Sequence, residues 1–219
     1  MSSARAPTID EMKVVATPAG WESAGFRMAG DAIEIGTVRI RLAAPDAGRG
    51  IVGCSMRRIA TERPDGLPIS RSPSRDREPV DTSHPNGATS LDHLVAFSSD
   101  LDRTVAALEE AGLELRRLRE EPTPGGAPRQ AFFRLAETIL EVVERPPGSH
   151  EADDAAAPAR FWGFAFCVRD IDRCAALLGE RLGAPHDAVQ PGRRIATLRR
   201  DPAVGAAVAF MTPDPRRAG

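Results

Sequence analysis

Two side chains in this sequence combine reactive chemistry with a strand-like setting. His93 lies in LDHLVAF, where Leu91, His93, Val95 and Phe97 fall on one face under period-two alternation. Glu141 lies in TILEVVE and alternates with Ile139 and Val143. An imidazole titrates near neutrality, and burial can raise a carboxyl toward the same range, so the two types suit acid–base work. An imidazole nitrogen and a carboxylate oxygen are equally ligands for Zn²⁺, Fe²⁺, Mn²⁺ or Ni²⁺. The plainer readings are a hydrogen-bonded strand histidine and a carboxylate paired with an arginine. An inward carboxylate without a partner is costly, so Glu141 calls for one.

Further candidates sit on neighbouring strand-like runs. Gln130 and Arg134 lie in QAFFRL, with Arg129 just before it. Arg193 and Arg194 match Arg129 and Gln130 at an offset of 193 − 129 = 64. Arginines facing a pocket could hold a carboxylate or phosphate through two parallel hydrogen bonds. The alternative is a solvated face of alternating charge. Gly163 and Cys167 share a face of FWGFAFCV with Ala165. Small residues there either widen a cavity or allow close packing. Cys167 and Cys174 read as core, and nothing near Cys167 in sequence marks it as reactive.

The elements that would position these groups follow from pattern. Residues 91–145 read as strand, helix, strand, strand, strand. Asp100 offers cap chemistry, Leu101, Val105 and Leu108 form a helical stripe, Gly112 stops it, and Ala136-Glu137 makes a tight turn. Residues 160–213 repeat the order, with Asp170 as cap, Ile171, Ala175, Leu178 and Leu182 as stripe, and Gly183 as stop. First strands align His93 with Gly163, an offset of 163 − 93 = 70. Last strands align Glu141 with Ala209, an offset of 209 − 141 = 68. Equal series at near-equal spacing indicate a duplicated module. Residues 20–60 are a candidate degenerate third copy. Residues 1–19 read as a flexible arm, 61–90 and 146–159 as linkers, and 214–219 as a tail.

Composition narrows the function classes. The chain has 219 residues, 42% hydrophobic, with a net charge of −2, so neither nucleic acid nor an anionic membrane is expected as a partner. Lys13 is the only lysine; the cationic side chains are otherwise arginine. No apolar run spans a bilayer, no signal-peptide core precedes residue 20, and three cysteines without CxxC spacing argue against a disulfide framework. A cytoplasmic location is the expectation. No phosphate loop, dinucleotide-binding glycine pattern, GxSxG elbow or HExxH motif is present.

The segments SLDHLVAFSSDLDRTVAALEEAGLELRR, RQAFFRLAETILEVVERP, FWGFAFCVRDIDRCAALLGERLG, PGRRIATLRRDP and VAFMTP resemble the glyoxalase/bleomycin-resistance, or vicinal oxygen chelate, superfamily, in its glyoxalase-like branch. The resemblance implies an α+β fold of repeated βαβββ modules forming a curved, cup-like mixed sheet around a small-molecule ligand. It also implies a divalent metal (Zn, Fe, Mn or Ni), held by a His or Glu from a first strand and a Glu from a last strand in each of two modules. Carried over, this gives His93 and Glu141, but the second module offers Gly163 and Ala209. His84, His150 or His186 could complete the set. The resemblance implies a lyase, isomerase or dioxygenase with an incomplete metal site, or a non-catalytic protein that sequesters a small molecule. A homodimer is compatible with either.

Overall fold

The computed structural model describes residues 6–122, 126, 128–146, 154 and 156–215. In chain order these form β1 (Thr8–Val15), α1 (Pro18–Ser23), β2 (Ala32–Ile35), β3 (Val38–Ala43), β4 (Ile51–Arg57), β5 (Ile69–Arg71), β6 (Ala88–Ser98), α2 (Leu101–Glu110), β7 (Glu114–Arg119), β8 (Gln130–Leu135), β9 (Thr138–Glu144), β10 (Arg160–Val168), α3 (Ile171–Leu178), β11 (His186–Asp187), β12 (Arg194–Thr197) and β13 (Ala207–Met211). The class is α+β, with open, curved mixed sheets. The chain divides into two compact units: 1–10, 53–75 and 93–162 form the first, and 11–52, 76–92 and 163–219 the second.

The first unit contains a complete βαβββ module. Its strands order as β6-β9-β8-β7, with β6 parallel to β9 and the remaining pairs antiparallel. A parallel pair requires a crossover, and α2 lies within it. Asp100 caps α2 by accepting from the Arg103 N–H at 3.0 Å, a contact worth about 1 kcal/mol. Leu94 and Ala96 of β6, Phe133 of β8, and Leu140 and Val142 of β9 are buried. Ser98, on the same face of β6, meets Thr104 of α2 at 2.6 Å, so this is the helix side of the sheet. Ala136, at φ 53°, makes the tight β8–β9 turn that its sequence position predicts.

The second unit repeats the module. Its strands order as β11-β12-β13-β10, again with first and last strands parallel. Asp170 caps α3 through the Asp172 and Arg173 N–H groups. The helix ends at Leu178, and Gly179 takes the left-handed conformation at φ 54°, so the stop is four residues before the Gly183 expected. Trp21, Phe26, Phe164, Phe166 and Phe210 form an aromatic cluster, with Trp21 Nε1 donating to the Val204 carbonyl at 3.1 Å.

Strand structure in the region read as a candidate third copy begins earlier than residue 20. Residues 8–15, read as part of a flexible arm, are β1, with Ile9, Met12 and Val14 buried. Within the second unit β2, β3 and β1 are neighbours, and the register Glu11↔Arg39 makes β1 and β3 parallel, as in the complete modules. This copy lacks one strand. The segment 61–90 is not simply a linker. It holds β5, parallel to β4, and β6 begins at Ala88 rather than Leu91. Residues 1–5 and 216–219 of the expected arm and tail, and most of the 146–159 linker, lie outside the described residues.

Gly205 shows how tightly the second unit closes. It sits at φ 74°, and a Cβ there would lie 2.0 Å from the Val15 carbonyl oxygen. Gly205→Ala is expected to cost about 1–3 kcal/mol, lowering the thermal midpoint by about 2–4 °C for each kcal/mol; calorimetry checks it. An unchanged midpoint would contradict this packing.

Candidate active face

Strand register places the candidate residues of the first unit in rows. His93 pairs with Ile139 and Ile139 with Arg134. Val95 pairs with Glu141 and Glu141 with Phe132. Phe97 pairs with Val143 and Val143 with Gln130. Directly opposed residues point to the same side of a sheet, so these nine share the face away from α2. Side-chain contacts agree. His93 Nε2 lies 3.7 Å from Glu141 Oε2, within ion-pair reach but beyond a direct hydrogen bond. Gln130 Nε2 donates to Glu141 Oε1 at 2.5 Å. Val95, Val143 and Phe97 pack together, and Phe97 meets Trp162 with ring centroids 5.2 Å apart.

His93 and Glu141 are neither sealed nor loose. Their side chains keep 14% and 17% of their exposure. Gln130 fixes one carboxylate oxygen of Glu141 and leaves the other directed at the imidazole. A ligand oxygen about 2.8 Å from each atom can sit at the apex of a triangle whose base is that 3.7 Å separation. The arrangement offers a ligand a donor–acceptor pair and an oriented imidazole.

The second unit keeps the frame and loses the chemistry. Val95↔Glu141 in the first unit corresponds to Ala165↔Ala209 in the second, which reproduces the offsets of 70 and 68 and puts Gly163 and Ala209 at the His93 and Glu141 positions. Gly163 is a packing residue. A Cβ on it would lie 2.5 Å from the Ala207 carbonyl oxygen, so the small side chain permits close approach to β13. Gln130↔Val143 corresponds to Ile195↔Met211, an offset of 195 − 130 = 65. The expected offset of 64 is therefore one short. Arg194 matches Arg129, not Gln130. Arg194 binds Asp172 at 2.7 Å, as Arg129 binds Asp102 at 2.8 Å, each tying a third strand to the start of its helix.

Cys167 lies in a buried polar cluster of the second unit. Its Sγ contacts Asp92 Oδ2 at 3.2 Å, and Asp92 is clamped by Arg193, whose Nη2 is 2.5 Å away. Arg193 also donates to the Thr212 carbonyl. Burial, reinforced by the Asp92 charge, pushes the Cys167 thiol up to about 12. The sequence reading missed Asp92; its position beside His93 gave no sign that it serves the other unit.

The other two described histidines, His84 and His186, belong to the second unit. His84 is buried in the second unit, where Nδ1 accepts from the Arg27 N–H at 3.0 Å and Nε2 faces the Glu34 carbonyl at 3.0 Å. That pattern requires a neutral ring, and burial holds its pKa below the ordinary value. His186 is exposed on β11, and His150 lies outside the described residues. No group of three His, Cys, Asp or Glu side chains with metal-binding geometry occurs among the described residues. No helix of the described chain is long and apolar enough to cross a membrane.

No protein-family model matches the chain, and no curated protein matches it. Solved structures do. A xylose isomerase-like TIM barrel/4-hydroxyphenylpyruvate dioxygenase fusion protein matches 99% of this chain at TM-score 0.66 and 12% identity, across 50% of its own length. Homoprotocatechuate 2,3-dioxygenase from Brevibacterium fuscum, in complex with 3,4-dihydroxyphenylacetate, matches 96% at TM-score 0.60 and 14% identity, across 82% of its length. Methylmalonyl-CoA epimerase from Mycobacterium tuberculosis matches 64% at TM-score 0.48 and 20% identity, across 95% of its length. At these identities the likeness is one of fold.

Two outcomes follow from the buried groups. Iodoacetamide should alkylate Cys167 roughly a hundredfold more slowly in the native protein at pH 8 than in urea, because a thiol near 12 is almost wholly protonated. Rapid native labelling mapped to Cys167 would contradict its assigned state. His84 binds a proton less readily folded than unfolded, so its contribution to stability is present above its ordinary value of 6.5 and is lost as pH falls. The urea midpoint should drop between pH 7 and pH 5, and less steeply in His84→Gln.

Proposed function

We propose that this chain, whose fold is that of the vicinal oxygen chelate superfamily, is a small-molecule-binding protein that holds its ligand on the first unit's face without that superfamily's four-ligand metal centre. The observation that carries the proposal is the asymmetry between modules. His93 and Glu141 stand 3.7 Å apart with Gln130 on the carboxylate, while the register-equivalent Gly163 and Ala209 bear no donor. Two protein donors fall short of the three that catalytic zinc sites usually take from the protein, so the donor set does not fit the family's metal. Glu141 and Gln130 instead fix a hydrogen-bonding pattern for a polar group, and His93 adds a ring nitrogen that gives or accepts according to tautomer. Phe97, Phe132, Val95 and Val143 supply apolar contact on either side, the usual make-up of a ligand site.

A second reading rests on the same His93–Glu141 contact. A carboxylate beside an imidazole orients it, and an oriented imidazole within reach of a bound molecule is what general acid–base turnover requires. The binding face would then support proton transfer on the bound molecule, the lyase or isomerase class rather than an oxidation.

The test begins with metal. Protein incubated with Zn²⁺, Mn²⁺, Ni²⁺ and Fe²⁺ and then desalted should retain well below one equivalent by elemental analysis. Near-stoichiometric metal that disappears in both His93→Ala and Glu141→Ala would overturn the metal-free reading. A thermal-shift screen of small polar organic molecules should yield stabilising ligands whose effect is lost in Glu141→Gln and Gln130→Ala.

A further inference from the structure

The face that carries His93 extends onto the edge strand β7. A bulge between Leu115 and Arg117 sets the phase: Glu114 pairs with Arg134, Arg117 with Phe132, and Arg119 with Gln130. Arg117 therefore continues the row Val95–Glu141–Phe132, and Arg119 the row Phe97–Val143–Gln130. Arg116, the extra residue of the bulge, is already paired with Glu114 at 2.6 Å. Neither Arg117 nor Arg119 has an ion-pair partner among the described residues. Arg134 donates through Nε to the Ala136 carbonyl at 3.2 Å. The carboxylate on the central strand, Glu141, is engaged by Gln130 and His93. Across the strands the face thus runs from Phe97 on β6, over the polar centre on β9, to Phe132 on β8 and then to two guanidinium groups on β7 that have no ion-pair partner among the described residues.

We infer that the ligand of this face is an organic anion, with an apolar body over Phe132 and a carboxylate or phosphate held by Arg117 and Arg119. This rests on the binding function proposed above and adds the ligand's charge to it. A guanidinium presents two parallel N–H donors that match either oxyanion, and two adjacent guanidinium groups repel each other until an anion lies between them. Edge strands also carry charged residues to deter strand pairing. That role needs charge anywhere on β7, and Arg116 serves it as well as Arg117 or Arg119. Arg116 is therefore the internal control.

Titration calorimetry at low salt measures the binding of phenyl phosphate, benzoate and neutral benzamide. The expected result is that one anion binds at least tenfold more tightly than benzamide, with the stronger of the two identifying the oxyanion. The preference should vanish in Arg117→Gln/Arg119→Gln, persist in Arg116→Gln and weaken with added salt. Circular dichroism and melting confirm that the variants fold, and the single variants serve if the double does not. Equal binding of benzamide and both anions, or a preference that survives the double substitution, overturns the inference. If benzamide binds and Gln130→Ala abolishes it, the binding function stands without an anionic ligand. If no probe binds, both fall.

Discussion

The parallel pairing of first and last strands is the constraint on which the first unit's chemistry depends. Val95 and Glu141 are 141 − 95 = 46 residues apart, yet they are register partners. A parallel pair cannot be made by a hairpin, so the chain must cross over, and α2 occupies the crossover. The crossover is pinned at its start, where Asp100 caps the helix and Arg129 clamps Asp102. A slip of one residue would move every side chain of a strand to the opposite face. Glu141 would then lie on the α2 side among Leu94, Ala96 and Phe133, where a carboxylate has no compensation. The hydrophobic alternation of β9 and the position of its catalytic-type carboxylate are thus one fact.

The same pairing in the second unit shows what the frame does not require. Arg194 and Asp172 repeat the clamp, Asp170 repeats the cap, and β10 with β13 repeats the register. The side chains on the open face are free to differ, and they do: Gly163 and Ala207 approach closely, leaving no space for an imidazole. Clamp and cap recur in both modules, whereas His93, Glu141 and Gln130, the residues of the proposed binding face, occur in the first alone.

Much of this was legible in the sequence, and the misses have physical causes. Modules with long amphipathic elements, Asp caps and glycine stops could be read at 91–145 and 160–213. Strand β1 could not, because Asp10 interrupts its apolar pattern; that carboxylate is buried against Arg57 and Ser72 in the first unit, a partner set 47 and 62 residues away. Strands β5 and β11 are three and two residues long, too short to show alternation. The arginine correspondence was misaligned by one residue because loop lengths differ ahead of β8 and β12. In β7 the bulge changes the phase of ELRRLR, so alternation alone could not tell which arginines share a face with Gln130. His93 and Glu141 were legible because each sits on a strand whose neighbours are apolar. Their mutual distance was not, since it depends on the twist of the pair.

The proposed metal-free face would differ from a metal centre in the kind of recognition it performs. A metal centre draws ligand atoms by charge from one point and needs donors from both modules. A face supplied by one module has only hydrogen bonds, apolar contact and side-chain charge, each directional or diffuse and each contributing about 1–3 kcal/mol at most. Selectivity must then come from several weak groups held in fixed relation, and a sheet provides that relation through its register. Gln130 orients Glu141, Glu141 faces His93, and the opposed positions on β7 and β8 carry guanidinium and aromatic groups. On the proposed binding function, rigid spacing along three strands would take over the ordering that a metal imposes, and the ladder of β6, β9 and β8 would be both scaffold and specificity element.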